Sequence, residues 1–179
     1  MSKVIAAVRN DEELAKTLST DVEKIFVLST NISQIKDEIE AVHMANKKIF
    51  VHIDLAEGIG KDEWGIKYLK ELGVDGIIST RTSLIKSARK EGLFTVQRFF
   101  IVDSHSIMTT VESVKSSKAD MIEIMPGTLP KVIKRLKGEL GVSLVAGGLI
   151  ETREEILSAI EAGAEAVSVG KKELWSVEI

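Results

Sequence analysis

Strand-like and helix-like patterns alternate eight times along this sequence, and that alternation constrains the fold more than any other feature. Short apolar, β-branched runs appear as VIAAV from Val4, KIFVLS from Lys24, KIFVHID from Lys48 and GIIST from Gly76. They continue as FTVQRFF from Phe94, MIEIM from Met121, SLVAGG from Ser143 and AVSVG from Ala166. Between them, apolar residues recur at helical spacing: Ile35, Ile39 and Val42; Leu69 and Leu72; Val132, Ile133 and Leu136; Ile156, Leu157 and Ile160. Strands followed by amphipathic helices bury both kinds of apolar face when the strands run parallel and the helices cross over the sheet.

Eight such units close a (β/α)8 barrel of the TIM type. Barrels of this kind typically take roughly 250 residues. This chain has 179, about 22 for each unit, so the expected form is compact, with short loops and minimal helices. A doubly wound open sheet is the alternative, but it rarely carries eight parallel strands in so short a chain. No linker, low-complexity tract or composition shift marks a boundary, so residues 1–179 are expected to form a single barrel domain. Helix ends are marked as well. Asn10 stands three residues before Glu13, Thr152 stands three before Glu155 in a capping box, and Gly163 stops the helix after AIEA.

The absence of cysteine excludes disulfides, thiolate nucleophiles and thiolate metal sites, and it fits a cytoplasmic protein. No apolar run approaches the ~20 residues of a membrane span. The N-terminal stretch is interrupted by Arg9 too early for a signal peptide. A net charge of −3 argues against coating nucleic acid by bulk charge while leaving room for a local basic patch.

A barrel of this kind works at the C-terminal ends of its strands. Those ends supply Arg9, then Asp54, then Ser79, Thr80 and Arg81, then Gln97 and Arg98 with Asp103 and Ser104 beyond. Glu123 follows within MIEIM ahead of MPG, then Gly147 and Gly148, then Ser168 and Gly170. The stretch LVAGGLIETREE runs from strand through two glycines into a helix. Either the glycines serve the turn alone, or they bare N–H groups for an anion. The loops after the seventh and eighth strands are the recurring phosphate cradle of such barrels, which favours the second reading. Asp54 shares a strand face with His52 and Phe50 and suits substrate hydroxyls, a metal, an acid–base role or an ion pair with an arginine. Glu123 is expected to point inward, opposite Arg9, Gln97 or Arg98.

His52 reads as a hydrogen-bonded neutral ring packed inside rather than a metal ligand, and no spacing among the histidines marks a metal site. There is no catalytic triad, HExxH or Walker loop. Asp54 and Glu123 as acid and base would make the chain a phosphosugar isomerase, aldolase or phosphodiesterase. Lys131, Lys134, Arg135 and Lys137 form a basic stripe on one predicted helix, and Lys86, Arg89 and Lys90 lie on another. Such stripes either solvate a helix or contact nucleic acid. With aromatics at 4% there is little material for base stacking, although Trp64 and Tyr68 fall four apart beside Lys67 and Lys70.

Taken together, HIDLAEG, GIISTRTSLIKSARKEGL, VQRFFIVDSHS, IEIMPGTLPK and VAGGLI followed by AGAEAVSVGKKELW strongly resemble the glycerol-3-phosphate-responsive antiterminators, the glycerol uptake operon regulators. The likeness runs from Val4 to Trp175. It implies a compact barrel that binds glycerol 3-phosphate as effector, needs no cofactor and acts on leader mRNA to prevent termination, with a homo-oligomer among its possible states. It also implies a ligand at the mouth, near Arg9, Asp54, Gln97, Arg98, Glu123, Gly147, Gly148 and Ser168. Where relatives tend to carry a second small hydroxyl residue, this chain has Gly170, which implies a backbone contact there.

Overall fold

The computed structural model describes residues 2–179 and contains a closed barrel of eight parallel strands. The strands are β1 (Val4–Val8), β2 (Lys24–Val27), β3 (Lys48–His52), β4 (Gly76–Ser79), β5 (Phe94–Phe100), β6 (Met121–Met125), β7 (Ser143–Gly147) and β8 (Ala166–Val169). Each pairs with the next in sequence, and β8 closes on β1 through Val4↔Val167, Ile5↔Ser168 and Ala6↔Val169. All eight apolar runs therefore form barrel strands. Seven α-helices wrap them: α1 (Asp11–Thr17), α2 (Ile35–Met44), α3 (Glu63–Glu71), α4 (Thr82–Lys90), α5 (Ser104–Ser117), α6 (Pro130–Leu140) and α7 (Arg153–Glu161).

Alternation along each strand divides the core in two. Ile5, Phe26, Phe50, Ile78, Val96, Met121, Val145 and Ala166 fill the barrel. Their neighbours, among them Ile25, Val51, Ile77, Ile122, Leu144 and Val167, pack outward against Ile39, Val42, Leu69, Ile133, Leu136 and Ile156 of the helices. Inside, Phe50 meets Phe26 and Phe94 edge-on at centroid distances of 5.5 and 5.8 Å. Gly76 makes this possible, because a Cβ there would lie 2.5 Å from the Phe50 ring.

The sequence pattern omits two details. The run from Lys48 ends as a strand at His52, and Ile53–Leu55 turn into one 3-10 turn. Beyond it Ala56–Glu57 pair in parallel with Thr30–Asn31, a small ladder outside the barrel. These pieces are too short for a periodicity argument.

The eighth unit has no α-helix, only the 3-10 turn Lys172–Leu174. Trp175 covers that seam instead: it is 2% exposed, and its indole N–H donates to the Val169 carbonyl at 2.7 Å. Trp175→Ala should therefore destabilise the barrel by about 3–5 kcal/mol. Chemical denaturation is expected to show a lower midpoint with an unchanged slope.

Candidate ligand site at the barrel mouth

The centre of the mouth is built around Glu123, which has no exposed surface. Parallel pairing puts Arg98 of β5 beside Glu123 of β6, and both side chains face inward. Arg98 Nε donates to Glu123 Oε2 at 2.6 Å, and Ser168 Oγ of β8 donates to Oε1 at 2.5 Å. A buried carboxylate persists only with such partners. Its space comes from Gly147, where a Cβ would run into both Glu123 Oε1 and Ser168 Oγ. The first glycine of the pair is thus a steric requirement of the buried carboxylate.

Gly148 has φ +75°, and Leu149, which no steric argument favours there, follows at +59° with 72% of its surface exposed. A non-glycine residue in this region costs about 1–3 kcal/mol. The resulting turn presents the N–H groups of Gly148 and Leu149, which donate to no carbonyl among the described residues, while Gly148 O accepts from Gly127 N at 3.0 Å. The helix start behind it carries the capping box that the sequence pattern marks. Glu155 Oε2 accepts from Glu151 N at 2.7 Å and from Thr152 N at 3.1 Å, and Thr152 Oγ1 accepts from Glu155 N at 3.2 Å. The capping box takes up the amides of Glu151, Thr152 and Glu155 around the start of α7, and the bare donors that line the mouth are those of the turn ahead of it.

A cavity of about 410 Å³ opens over these groups, lined by Arg9, Arg98, Gly148, Ser168, Gly170 and Lys171 among others. Arg9 is exposed and makes no ion pair among the described residues. Lys171 Nζ reaches the Glu151 carbonyl at 3.0 Å. The sequence reading missed Lys171, although its place directly after Gly170 at a strand end was a usable signal. With Glu123 already balanced by Arg98, the cations Arg9 and Lys171 share the rim with one acid, Glu151, and the lining keeps a net positive charge. A slightly larger cavity, about 440 Å³, lies at the opposite end of the barrel, walled by Phe26, Phe50, Phe94 and Met121. Its inner wall is apolar, and the polar residues at its edge, Lys24, Asn46 and Lys48, share it with the acids Glu23 and Asp75.

On the β3 side, His52 is 4% exposed. Burial above all, and then the Arg98 charge, push its pKa down to about 4 against the opposing pull of Asp54. The ring is buried and neutral near pH 7, as expected from the sequence, but the expected hydrogen bond is absent: neither nitrogen has a partner among the described residues. Asp54 Oδ2 lies 3.7 Å from Nε2, beyond hydrogen-bond reach. Asp54 is tied instead to the loop after β4: Oδ2 accepts from Thr80 N at 3.1 Å, and Arg81 Nε stands 3.2 Å from Oδ1 at ion-pair distance. The arginine partner foreseen for Asp54 is thus present.

Gln97 requires a correction. It alternates with Arg98 and so faces the helices, where its Nε2 donates to Thr82 Oγ1 at 3.1 Å. Adjacent strand residues cannot both face the mouth. The structure brings together Arg9, Arg98, Glu123, Gly147, Gly148, Ser168 and Gly170, keeps Asp54 at the edge and turns Gln97 away.

The basic stripe on α6 divides in two. Arg135 pairs with Glu139 at 2.8 Å and Lys137 with Glu165 at 2.7 Å, whereas Lys131 and Lys134 are exposed without an ion pair among the described residues. Arg89 is held by Asp120. Trp64 is 68% exposed with Lys67 Nζ 4.4 Å from its ring centre, while Tyr68 packs against the core. Among the described residues there is no group of three or more His, Cys, Asp or Glu placed to hold a metal ion, and no helix is long and apolar enough to cross a membrane.

Comparison with known proteins gives a consistent result. The chain is 39% identical over 175 residues to the uncharacterized protein YgcP of Escherichia coli (strain K12), covering 97% of this chain and 92% of that one. It superposes on the crystal structure of the glycerol uptake operon antiterminator regulatory protein from Listeria monocytogenes str. 4b F2365 with a TM-score of 0.94 at 33% identity, covering 98% and 96% of the two chains. A glycerol uptake operon antiterminator-related protein from Thermotoga maritima MSB8 superposes with a TM-score of 0.86 at 29% identity, covering 98% and 99%. The family model described as glycerol-3-phosphate responsive antiterminator matches residues 4–175, and the chain belongs to that family.

Proposed function

We propose that the barrel mouth is the receptor for glycerol 3-phosphate and that its occupancy controls binding of leader mRNA, so that the chain acts as a cytoplasmic transcription antiterminator without a cofactor. The observation that carries this reading is the meeting of unpaired turn amides with unneutralised cations in a member of a family named for response to this ligand. The phosphate sits against Gly148, Leu149 and Gly170, with Arg9 and Lys171 balancing its charge. Charge-assisted bonds of this kind contribute roughly 1.5–3 kcal/mol each. The polyol end reaches toward Arg98 and the carboxylate it holds.

The acid–base alternative loses support from the same geometry. Glu123 has both oxygens engaged by Arg98 and Ser168, and Asp54 serves the Thr80–Arg81 loop. Neither carboxylate is poised to take a proton from a ligand. As a receptor, the protein must bind the ligand more tightly in its RNA-competent form, as monomer or homo-oligomer, than in the other. Within the α6 stripe, Lys131 and Lys134 are the cations left available for phosphate contacts in RNA.

Four outcomes are expected. Calorimetry with glycerol 3-phosphate should give saturable heat with no product by mass spectrometry; turnover would favour the enzyme instead. Gly148→Val, which puts a β-branched residue at φ +75° with its Cβ 3.3 Å from Met125 Cε, should weaken the ligand on the order of 10–100-fold, the loss of one or two such bonds, with circular dichroism unchanged. In a mobility-shift assay on a glycerol-operon leader transcript, ligand should raise wild-type affinity. The double change Lys131→Glu with Lys134→Glu should abolish the shift while calorimetric ligand binding stays intact. An RNA affinity that glycerol 3-phosphate never alters would defeat the switch.

A further inference from the structure

Buried polar atoms with no hydrogen-bond partner are rare in folded proteins. Among the described residues they are His52 Nδ1 and Nε2, Asp54 Oδ1, Gln97 Oε1 and Arg98 Nη2. Gln97 faces the helices, and Asp54 Oδ1 has Arg81 at ion-pair distance. The remaining three atoms belong to His52 and Arg98, inward side chains at least nine-tenths buried and close enough for the Arg98 charge to act on the imidazole. Arg98 lines the mouth cavity, and with Nε committed to Glu123 its Nη2 is left over.

The imidazole beside it is uncharged, so one ring nitrogen donates and the other accepts. Asp54 Oδ2, 3.7 Å from Nε2, biases the proton to that nitrogen and leaves Nδ1 as the acceptor. A donor from Arg98 and an acceptor from His52 match a hydroxyl, which accepts and donates at once. A carbonyl oxygen accepts only. It would satisfy Arg98 and face the lone pair of Nδ1 with its own.

We propose that His52 is a specificity-determining residue of the mouth, reading with Arg98 a hydroxyl of the bound phosphorylated polyol and disfavouring carbonyl-bearing phosphates of the same size. The inference rests on the mouth being a phosphopolyol site. It adds a residue outside the phosphate-holding turn and a reason for the choice between alcohol and carbonyl.

The test compares the wild type, His52→Leu and His52→Asn by calorimetry with glycerol 3-phosphate, dihydroxyacetone phosphate and inorganic phosphate. Wild type should prefer glycerol 3-phosphate over dihydroxyacetone phosphate by about tenfold or more, the scale of one hydrogen bond in a buried site. His52→Leu should lose that preference while binding inorganic phosphate within about twofold of wild type, and His52→Asn should recover part of it. Nitrogen-15 spectra of the unmutated protein supply a readout that does not depend on the variants folding: the His52 ring signals should move with glycerol 3-phosphate and stay in place with inorganic phosphate. Unmoved ring signals at saturation, or a His52→Leu protein that discriminates like wild type, would overturn the inference while leaving the phosphate site standing. If the wild type takes up none of the three compounds, the ligand reading of the mouth fails, and this inference with it.

Discussion

A carboxylate with no access to water sits at the centre of the barrel mouth, and much of the surrounding structure answers its requirements. Glu123 needs a cation and a second donor, which Arg98 and Ser168 supply from neighbouring parts of the ring. It needs room, which Gly147 supplies by having no side chain. Because Arg98 spends Nε on this pair, its Nη2 is left without a partner, and burial, reinforced by the Arg98 charge, keeps the imidazole of His52 neutral. Removing either partner would leave a buried charge uncompensated, among the most damaging changes a core can suffer. The pair thus holds donors in fixed positions before any ligand arrives.

Compactness shapes the rest. With about 22 residues per unit the helices are short, and the final unit gives up its helix altogether. A buried indole on a 3-10 turn covers the last seam, so one large side chain does what a helix does elsewhere in the ring. Short connections also bring the residues after β3 and β4 into direct contact, which is why Asp54 is spent on Thr80 and Arg81.

The strands and most helices were legible because burial imposes periodicities of two and 3.6 that survive in a single sequence. The capping box Thr152–Glu155 was legible for a similar local reason. The inward turn of Glu123 followed from the cost of placing an acid among apolar helices. What could not be read was partnership across the ring. Arg9, Gln97 and Arg98 were equal candidates to face Glu123 until strand register chose Arg98. Gln97 was misplaced because the strand-end motif names two adjacent residues and alternation permits only one of them inside. The reason for Gly147 was hidden as well, since its neighbours in space are 24 and 21 residues away along the chain.

Glu155 has a consequence for any anion that settles at the mouth. Since this acid already neutralises the opening of α7, the dipole of that helix adds little attraction there. The long-range pull then falls to Arg9 and Lys171, which are exposed to solvent. Exposed charges are screened over roughly 8–10 Å at physiological ionic strength. The sensitivity of such a receptor would therefore drift with the salt content of its surroundings, and a rise in ionic strength would dull its response to the same amount of effector.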